Sequence, residues 1–254
     1  MKGTILEPAG ILAISLFALF LGPGSGRSEE DAFSKCRQIV LVSSTAWESP
    51  AGKLDLWQKE DGKWRAVRSG ISVTVGRNGM GVGVGLHRDS EEEPKKKEGD
   101  KRAPAGIFPL EFGFGRKARP MAVDTLPFRR AGASDLWADD PGSNYYNQWV
   151  NLSDRSIRKD WNSAEILARR DGLYDLVIVV GHNRSATVPG RGSAIFIHRW
   201  RAEGVPTVGC TAMDAEELLQ LWKWLKKEHE PLLIQGPAPF LKTLNLPETI
   251  QSSL

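Results

Sequence analysis

Short apolar runs with the period of β-strands dominate the first third of the chain. Residues 38–43 (QIVLVS) and 71–75 (ISVTV) are runs of this kind, and each predicts a strand. Residues 54–67 carry apolar positions on both sides of Asp61 and Gly62, a pair that accepts the positive φ of a tight turn. This segment therefore predicts a β-hairpin.

The last third of the chain predicts two buried strands and one amphipathic helix. Residues 173–180 (LYDLVIVV) and 193–198 (SAIFIH) are apolar enough for central strands. Asp214 and Glu217 have the spacing of a capping box, in which side chains satisfy the free backbone amides at a helix start. Leucine and tryptophan then recur at helical spacing, so we expect a helix over residues 215–227.

Four glycines alternate along the chain at Gly79, Gly81, Gly83 and Gly85. A spacing of two places them on one face of a strand, where a missing side chain permits close approach of another backbone. The run does not fit a nucleotide-binding loop, which needs GxxxxGK[ST], or GxGxxG at the start of a helix. We therefore expect these glycines to serve packing.

Four segments predict turns and irregular structure. Residues 90–102 form a charge run, which is typical of a solvated loop, with a flap beside a site as the alternative. Residues 103–110 hold two prolines and a glycine and predict a turn into an extended segment. Residues 121–170 read as long loops, which usually carry function in a compact domain. From residue 231 onward, a Pro-rich segment is expected to wrap the surface.

Composition limits the class of protein. A length of 254 residues suits one domain of ordinary size. Hydrophobic residues make up 41% and charged residues 26%, a balance typical of a globular protein and not of a disordered chain. Because the formal net charge is only +3 and no basic stripe with interleaved aromatic residues is present, we do not expect nucleic-acid binding.

The first residues indicate the compartment. Lys2 is followed by an apolar run over residues 11–21 and then by small residues at 22–26, which is the pattern of a secretory signal peptide. An uncleaved anchor is the alternative, but the run is shorter than the ~20 residues that span a bilayer. We therefore predict a signal peptide over residues 1–26 and a single domain over residues 27–254. The mature protein is expected to be exported, periplasmic or cell-wall associated, with no permanent membrane span.

Two cysteines, Cys36 and Cys210, could form a disulfide in an oxidising compartment. The context of Cys210 favours chemistry instead. It ends the segment Thr207-Val208-Gly209-Cys210, and His198 lies twelve positions earlier at the end of a predicted strand. A neighbouring imidazole can take the thiol proton, and the amides around Cys210 could stabilise an oxyanion.

Each of these residues also has a less specific interpretation. A histidine at a strand end is more often a packing residue, and a Gly-Cys pair alone is weak support for a nucleophile. A zinc site built from His182, His198 and Cys210 is a further alternative, but the chain lacks the close CxxC or HxxxH spacing that metal sites typically show. We therefore expect no metal and no cofactor.

Residues 193–213 (SAIFIHRWRAEGVPTVGCTAM) resemble the active-site segment of the L,D-transpeptidases, the YkuD-like family. That family places a histidine at a strand end and a cysteine in an [Ser/Thr]-x-Gly-Cys turn. Other segments resemble the short bacterial branch of the family in the same order. These are residues 100–110, Trp137 to Pro141, Tyr146-Asn147 and Gly181 to Asn183.

The resemblance implies a fold and a set of roles. The implied fold is a mostly β, sandwich-like catalytic domain with flanking helices (α+β), with which the predicted elements are compatible. Cys210 corresponds to the nucleophile and His198 to the general base, and Gly209, Thr211 and the Cys210 amide shape the oxyanion turn. Candidate substrate contacts are His182, Asn183, Arg199, Arg201, Tyr146 and Asn147.

The implied substrate is a peptidoglycan stem peptide, attacked at the bond after a diaminopimelate-type residue. A thioester forms on the cysteine, after which an amine completes a cross-link, or water completes a carboxypeptidase or amidase reaction. The rival is a non-catalytic wall-binding protein. Two departures affect peptide contacts, because Val208 replaces a family histidine and Ala212 replaces an arginine able to clamp a carboxylate. Arg191, Arg199 or Arg201 could replace that arginine.

Overall fold

A computed structural model of the chain describes residues 29–89, 93–117, 120 and 124–254. The predicted signal peptide, residues 1–26, lies outside these described residues. None of the helices within them is long and apolar enough to cross a bilayer. The helices are α1 (Glu29–Lys35), α2 (Ala215–Trp224), α3 (Ala238–Leu241) and α4 (Glu248–Gln251), with a 3-10 turn at Lys227–His229. The strands are β1 (Gln38–Ser44), β2 (Ala51–Glu60), β3 (Lys63–Thr74), β4 (Met80–Val82), β5 (Ala103–Gly115), β6 (Phe128–Arg130), β7 (Asp135–Ala138), β8 (Gln148–Asn151), β9 (Ala164–Ile166), β10 (Val177–Val180), β11 (Phe196–Arg199), β12 (Thr211–Met213) and β13 (Leu232–Pro237).

Eight strands close into a barrel in the order β10-β11-β12-β3-β2-β1-β13-β5, and β5 pairs back onto β10. The mostly β character of the prediction is confirmed. The principal sheet forms a barrel and not the predicted sandwich, because it closes on itself. Strand β5 causes this closure, since its residues 106–109 pair with β13 and its residues 110–114 pair with β10.

The barrel has one hydrophobic core inside and a second on part of its outer face. Along β10, Ile178 and Val180 belong to the interior core, and Val177 and Val179 belong to the outer cluster. This alternation is the period of two that a strand imposes. A small antiparallel sheet, β8-β7-β9, contributes Trp137 to the outer cluster and so covers this face of the barrel.

Most of the predicted strands and the helix are confirmed, with shifted ends. The helix α2 ends at Trp224 because Leu225 is extended, at φ −63° and ψ 131°. Asp214 caps it by accepting from the Glu216 and Glu217 amides, but the Glu217 carboxylate pairs with Arg68 at 2.8 Å and does not reach back to the cap.

Two predictions of irregular structure were wrong. The segment after residue 231 is not a surface tail, because β13 is wholly buried and lies between β1 and β5. Residues 121–170 are not only loops either, since β6 to β9 all lie within them.

The glycine run and the charge run also differ from expectation. Only residues 80–82 form a strand, so the continuous glycine strand was wrong. The close packing is confirmed, since a Cβ on Gly83 would lie 2.7 Å from the Pro104 Cβ. The described part of the charge run packs along β4. Lys96 is only 2% exposed there and pairs with Asp100 at 2.7 Å, so this part is not fully solvated, although Lys97, Gly99 and Lys101 are exposed.

Candidate active site

Parallel pairing of β11 and β12 brings the predicted nucleophile and base to one region. Ile197 lies opposite Thr211, and His198 lies opposite Ala212. Phe196 and Cys210 both belong to the outer cluster, and His198 is two residues beyond Phe196 on the same strand. Because side chains two apart share a strand face, Cys210 and His198 both face away from the barrel interior.

Two cavities adjoin Cys210. The first cavity has a volume of about 350 Å³, and its wall includes His198, Arg77, Arg201 and Trp200. The second cavity, about 230 Å³, is lined among others by residues 98–99 and 193–195. Four residues line both cavities, so the sulfur lies at their common wall. They are Cys210, Val208, Glu165 and Tyr174.

The His198 ring is fixed in one tautomer. Its Nδ1 lies 2.7 Å from the Arg199 carbonyl oxygen. Because a carbonyl only accepts, Nδ1 carries the proton, and Nε2 is the acceptor of the ring. The Tyr174 ring packs against the imidazole with centroids 5.5 Å apart. Burial lowers the pKa of His198 to about 4, so the imidazole is neutral at pH 7.

The Cys210 thiol is also neutral at rest. Burial raises its pKa to about 12, although a hydrogen bond from the Phe196 backbone opposes the shift. The thiol donates to the Ala194 carbonyl oxygen at 3.5 Å. Cys36 and Cys210 are both free, so the disulfide alternative is not formed. The two side chains are therefore a neutral thiol and a neutral imidazole at pH 7.

The turn before Cys210 is held by Thr207. Its hydroxyl donates to the Cys210 carbonyl at 2.6 Å and accepts from the Gly209 amide at 3.1 Å. Gly209 has φ +151°, a conformation that favours glycine. The Thr211 hydroxyl donates to Gln235 Oε1 at 2.8 Å, a buried contact on the opposite face of β12 from Cys210. Because the Gly209 amide already donates to the Thr207 hydroxyl, the Cys210 amide is the better candidate donor to an oxyanion.

A buried network of amide side chains positions the Ala194 carbonyl, which accepts the hydrogen bond from the Cys210 thiol. Asn147 Oδ1 accepts from Trp137 Nε1 at 2.9 Å and from the Ala194 amide at 3.2 Å. The Asn147 Nδ2 donates to the Asn183 carbonyl at 2.7 Å, and the Asn183 side chain in turn donates to the Gly192 carbonyl at 3.0 Å. Ala194 itself has φ +52°. Two predicted contact residues therefore build the segment that carries Ala194.

Tyr146 and His182 were also predicted to contact substrate, and both form hydrogen bonds within the fold instead. The Tyr146 hydroxyl donates to Glu98 Oε2 at 2.5 Å and accepts from the Gly192 amide at 3.0 Å. The Val84 amide donates to His182 Nδ1 at 3.2 Å, so Nε2 carries the proton that is donated to the Arg191 carbonyl at 2.9 Å. Of the six predicted substrate contacts, Arg201 is the one that lines a cavity beside Cys210.

Residues 45–234 match the family model of the YkuD L,D-transpeptidase catalytic domain. The chain belongs to the YkuD family. No curated protein matches the chain. Among solved structures it is similar to the crystal structure of the helical cell shape determining protein Pgp2 from Campylobacter jejuni, with 16% identity and a TM-score of 0.38. The match covers 79% of this chain and 48% of that one, so the chain spans about half of that protein's length.

The wall of the first cavity includes a cluster of three side chains that were not among the predicted site residues. Glu165, Arg169 and Tyr174 line the first cavity. Arg169 pairs with Glu165 at 3.0 Å, and its guanidinium lies 5.3 Å from the Tyr174 ring centroid. Burial raises the pKa of Tyr174 well above its usual value, and the negative charge of Glu165 adds to this shift. The spacing of four between Glu165 and Arg169 was the sequence feature that could have indicated their ion pair, but both residues lie in a segment that was predicted to be a loop.

The neutral histidines make the YkuD domain sensitive to acid. Burial lowers the pKa of His182 to about 3 and that of His198 to about 4, against 6.5 for the free side chain. As pH falls below 6.5, these histidines therefore bind protons in the unfolded chain but not in the folded chain. The free energy of unfolding consequently falls by up to about 1.4 kcal/mol per pH unit for each histidine. We expect urea unfolding to show this loss between about pH 6.5 and 4.

Removal of one of the two histidines is the matched control. His198→Asn is expected to reduce the slope of stability against pH within the same window. The carboxyl groups with lowered pKa, such as Asp135, begin to lose their contribution near pH 5, so the contribution of the histidines is measured between about pH 6.5 and 5. A wild-type stability that stays level from pH 7 to pH 4.5 contradicts the prediction.

Proposed function

We propose that the chain is an exported peptidoglycan L,D-transpeptidase that transfers peptide acyl groups through a thioester on Cys210. The observation that carries the proposal is the first cavity, whose wall holds both Cys210 and His198. Membership of the YkuD family supports the substrate class. The free thiol and the fixed tautomer of His198, which leaves Nε2 as an acceptor, suit nucleophilic catalysis by a cysteine with an adjacent base.

The reaction begins with proton transfer from sulfur to imidazole. His198 Nε2 takes the Cys210 proton as the sulfur attacks the carbonyl carbon of a diamino acid of the stem peptide, at its bond to the D-amino acid that follows. The Cys210 amide stabilises the oxyanion, and the tetrahedral intermediate collapses to a thioester. The leaving D-amino acid takes its proton from the His198 imidazolium, which restores the neutral base.

The second half of the cycle repeats these steps with a new nucleophile. An amine of a second stem attacks the thioester carbonyl, and His198 accepts the amine proton. Collapse of this intermediate forms an amide bond and returns the proton to the Cys210 sulfur. Water in place of the amine releases a free carboxylate, which is the carboxypeptidase or amidase alternative. The Cys–His pair serves both outcomes, so exclusion of water from the cavities decides between them.

Product analysis tests the proposal directly. The purified protein is incubated with uncross-linked wall fragments that carry tetrapeptide stems, and the products are separated by mass. Dimers joined between two diamino acid residues indicate transfer, whereas shortened monomeric stems alone indicate hydrolysis. Unchanged fragments, together with binding to the wall, support the non-catalytic rival and contradict the proposal.

A further inference from the structure

One acidic side chain of the charge run lies against the chain that leads into β11. Glu98 belongs to residues 94–102, whose backbone is fixed on two sides. The Lys96 amide donates to the Val82 carbonyl of β4 at 2.9 Å, and the Glu98 amide donates to the Gly190 carbonyl at 2.8 Å. Residues 94–102 therefore connect β4 to the chain that precedes β11, and Glu98 lines the second cavity.

Two hydroxyl groups donate to one oxygen of Glu98. Its Oε2 accepts from the Tyr146 hydroxyl at 2.5 Å and from Ser193 Oγ at 2.7 Å. Burial raises the pKa of Tyr146, and the hydrogen bond to Glu98 adds to this shift, so the phenol stays protonated and donates. The same hydroxyl accepts from the Gly192 amide at 3.0 Å. Glu98 thus fixes Ser193 directly and Gly192 through the tyrosine.

These contacts lie next to the residue that accepts the thiol hydrogen bond. Ala194 follows Ser193, and its carbonyl accepts from the Cys210 thiol at 3.5 Å. Ala194 has φ +52°, a conformation that a residue with a side chain keeps only where its surroundings impose it. Asn147 holds the Ala194 amide at 3.2 Å, and Glu98 holds the Ser193 side chain. The direction of the Ala194 carbonyl therefore depends on both fastenings.

The second contact of the sulfur does not depend on Glu98. The sulfur accepts a hydrogen bond from the Phe196 backbone, and Phe196 is fixed by its pairing with Val179 in the barrel. The Ala194 carbonyl belongs to the irregular chain before β11, where no strand pairing holds it. Of the two contacts that place the sulfur, the one with Ala194 is therefore the one that side chains must maintain.

Building on the proposed function, we propose that Glu98 is a positioning residue for the Cys210 nucleophile and acts through Ser193 and the Ala194 carbonyl. Without the carboxylate, Ser193 is released, and Ala194 returns to an ordinary φ that turns its carbonyl away from the thiol. The sulfur then occupies several rotamers at the common wall of the two cavities. Because attack requires one orientation, fewer molecules are ready to react.

Kinetics of two Glu98 variants distinguish positioning from substrate contact. Glu98→Ala is expected to lower kcat by about ten- to a hundredfold and to leave KM within about threefold. Glu98→Gln keeps an oxygen that accepts from both hydroxyl groups, so it is expected to retain most of the wild-type kcat. A loss that falls mainly on KM, or an equal loss of kcat in both variants, overturns the positioning role.

The S–H stretching band reports the thiol contact without any need for turnover. Cys36→Ala leaves Cys210 as the only cysteine of the chain, so one band remains. A hydrogen bond lowers the S–H stretching frequency. In this background, Glu98→Ala is expected to raise the frequency and broaden the band, whereas Glu98→Gln keeps the wild-type band. Ser193→Ala keeps the carboxylate and is expected to give the same upward shift, so the test does not depend on the folding of Glu98→Ala.

Asp160→Ala is the matched control. The Asp160 carboxylate also accepts from a serine hydroxyl, that of Ser143 at 2.5 Å, but it is exposed and lines neither cavity beside Cys210. Asp160→Ala is expected to keep the wild-type kcat and S–H band. A band that stays unchanged in Glu98→Ala and Ser193→Ala, or that shifts equally in Asp160→Ala, overturns the proposal. Band shifts as expected in a wild type that lacks turnover sink the proposed function but keep the positioning of the thiol.

Discussion

Replacement of Cys210 by serine is expected to abolish both peptide turnover and the covalent adduct with a carbapenem. The family resemblance implies that such compounds acylate the active-site cysteine. A serine hydroxyl is far less acidic and less nucleophilic than a thiol, and the neutral imidazole of His198 cannot compensate for that difference. Intact mass after incubation is expected to show one adduct on the wild type and none on Cys210→Ser.

Cys36 provides the matched control within the same chain. Burial raises the pKa of both cysteine thiols to about 12, so intrinsic acidity does not distinguish them. Access does, because Cys36 is fully buried and Cys210 lines two cavities. We therefore expect Cys36→Ala to keep the adduct and a thiol reagent to label Cys210 first. An adduct that survives Cys210→Ser, or equally slow labelling of both thiols, would falsify the assignment of the nucleophile.

Substitution of His198 by asparagine is expected to lower kcat by about 10²- to 10⁴-fold. Asparagine can keep a donor near the position of Nδ1, and with it the bond to the Arg199 carbonyl, but it has no basic nitrogen to take the thiol proton. Because thiolate is scarce at neutral pH when the thiol pKa is about 12, loss of the base affects the attack directly. Single-turnover acylation measured between pH 6 and 10 checks this expectation.

Two further readouts separate a lost base from a damaged fold. The acylation rate of His198→Asn is expected to rise with hydroxide concentration across that range, since solvent base replaces the imidazole. Added imidazole is expected to restore part of the rate in His198→Ala, where the ring leaves space. If His198→Asn retains the wild-type acylation rate at pH 7, another group must be the base.

Local patterns were sufficient for the elements that depend on neighbouring residues. The hairpin around Asp61-Gly62, the strand at residues 38–43 and the start of α2 follow from turn chemistry, alternation and capping, and all are present. Cys210 and His198 were singled out by motif, and the parallel pairing of β11 with β12 that brings them to one face was not predictable from their spacing alone.

Long-range pairing was the part that local patterns did not reveal. Leu232 and its neighbours looked like a Pro-rich tail, but they pair with β1 and β5 from distant parts of the chain. The charge run around Lys96 predicted that this residue is solvated, but it is buried, and an ion pair with Asp100 compensates for the burial of its charge. Asp139 belongs to a segment that stood out by its resemblance alone, and the burial of its Oδ1 without a hydrogen-bond donor among the described residues depends on residues that are distant along the chain.

Strand β13 is synthesised after every other strand of the barrel, yet it occupies the slot between β1 and β5. Until it inserts, two sheet edges carry unpaired amides and carbonyls that could recruit another chain. Ring closure is consequently a late event in folding and joins segments from opposite ends of the described chain, which is the kind of contact that slows folding. A chain truncated before Leu232 is therefore at risk of aggregation even though it retains every side chain of the Cys–His pair.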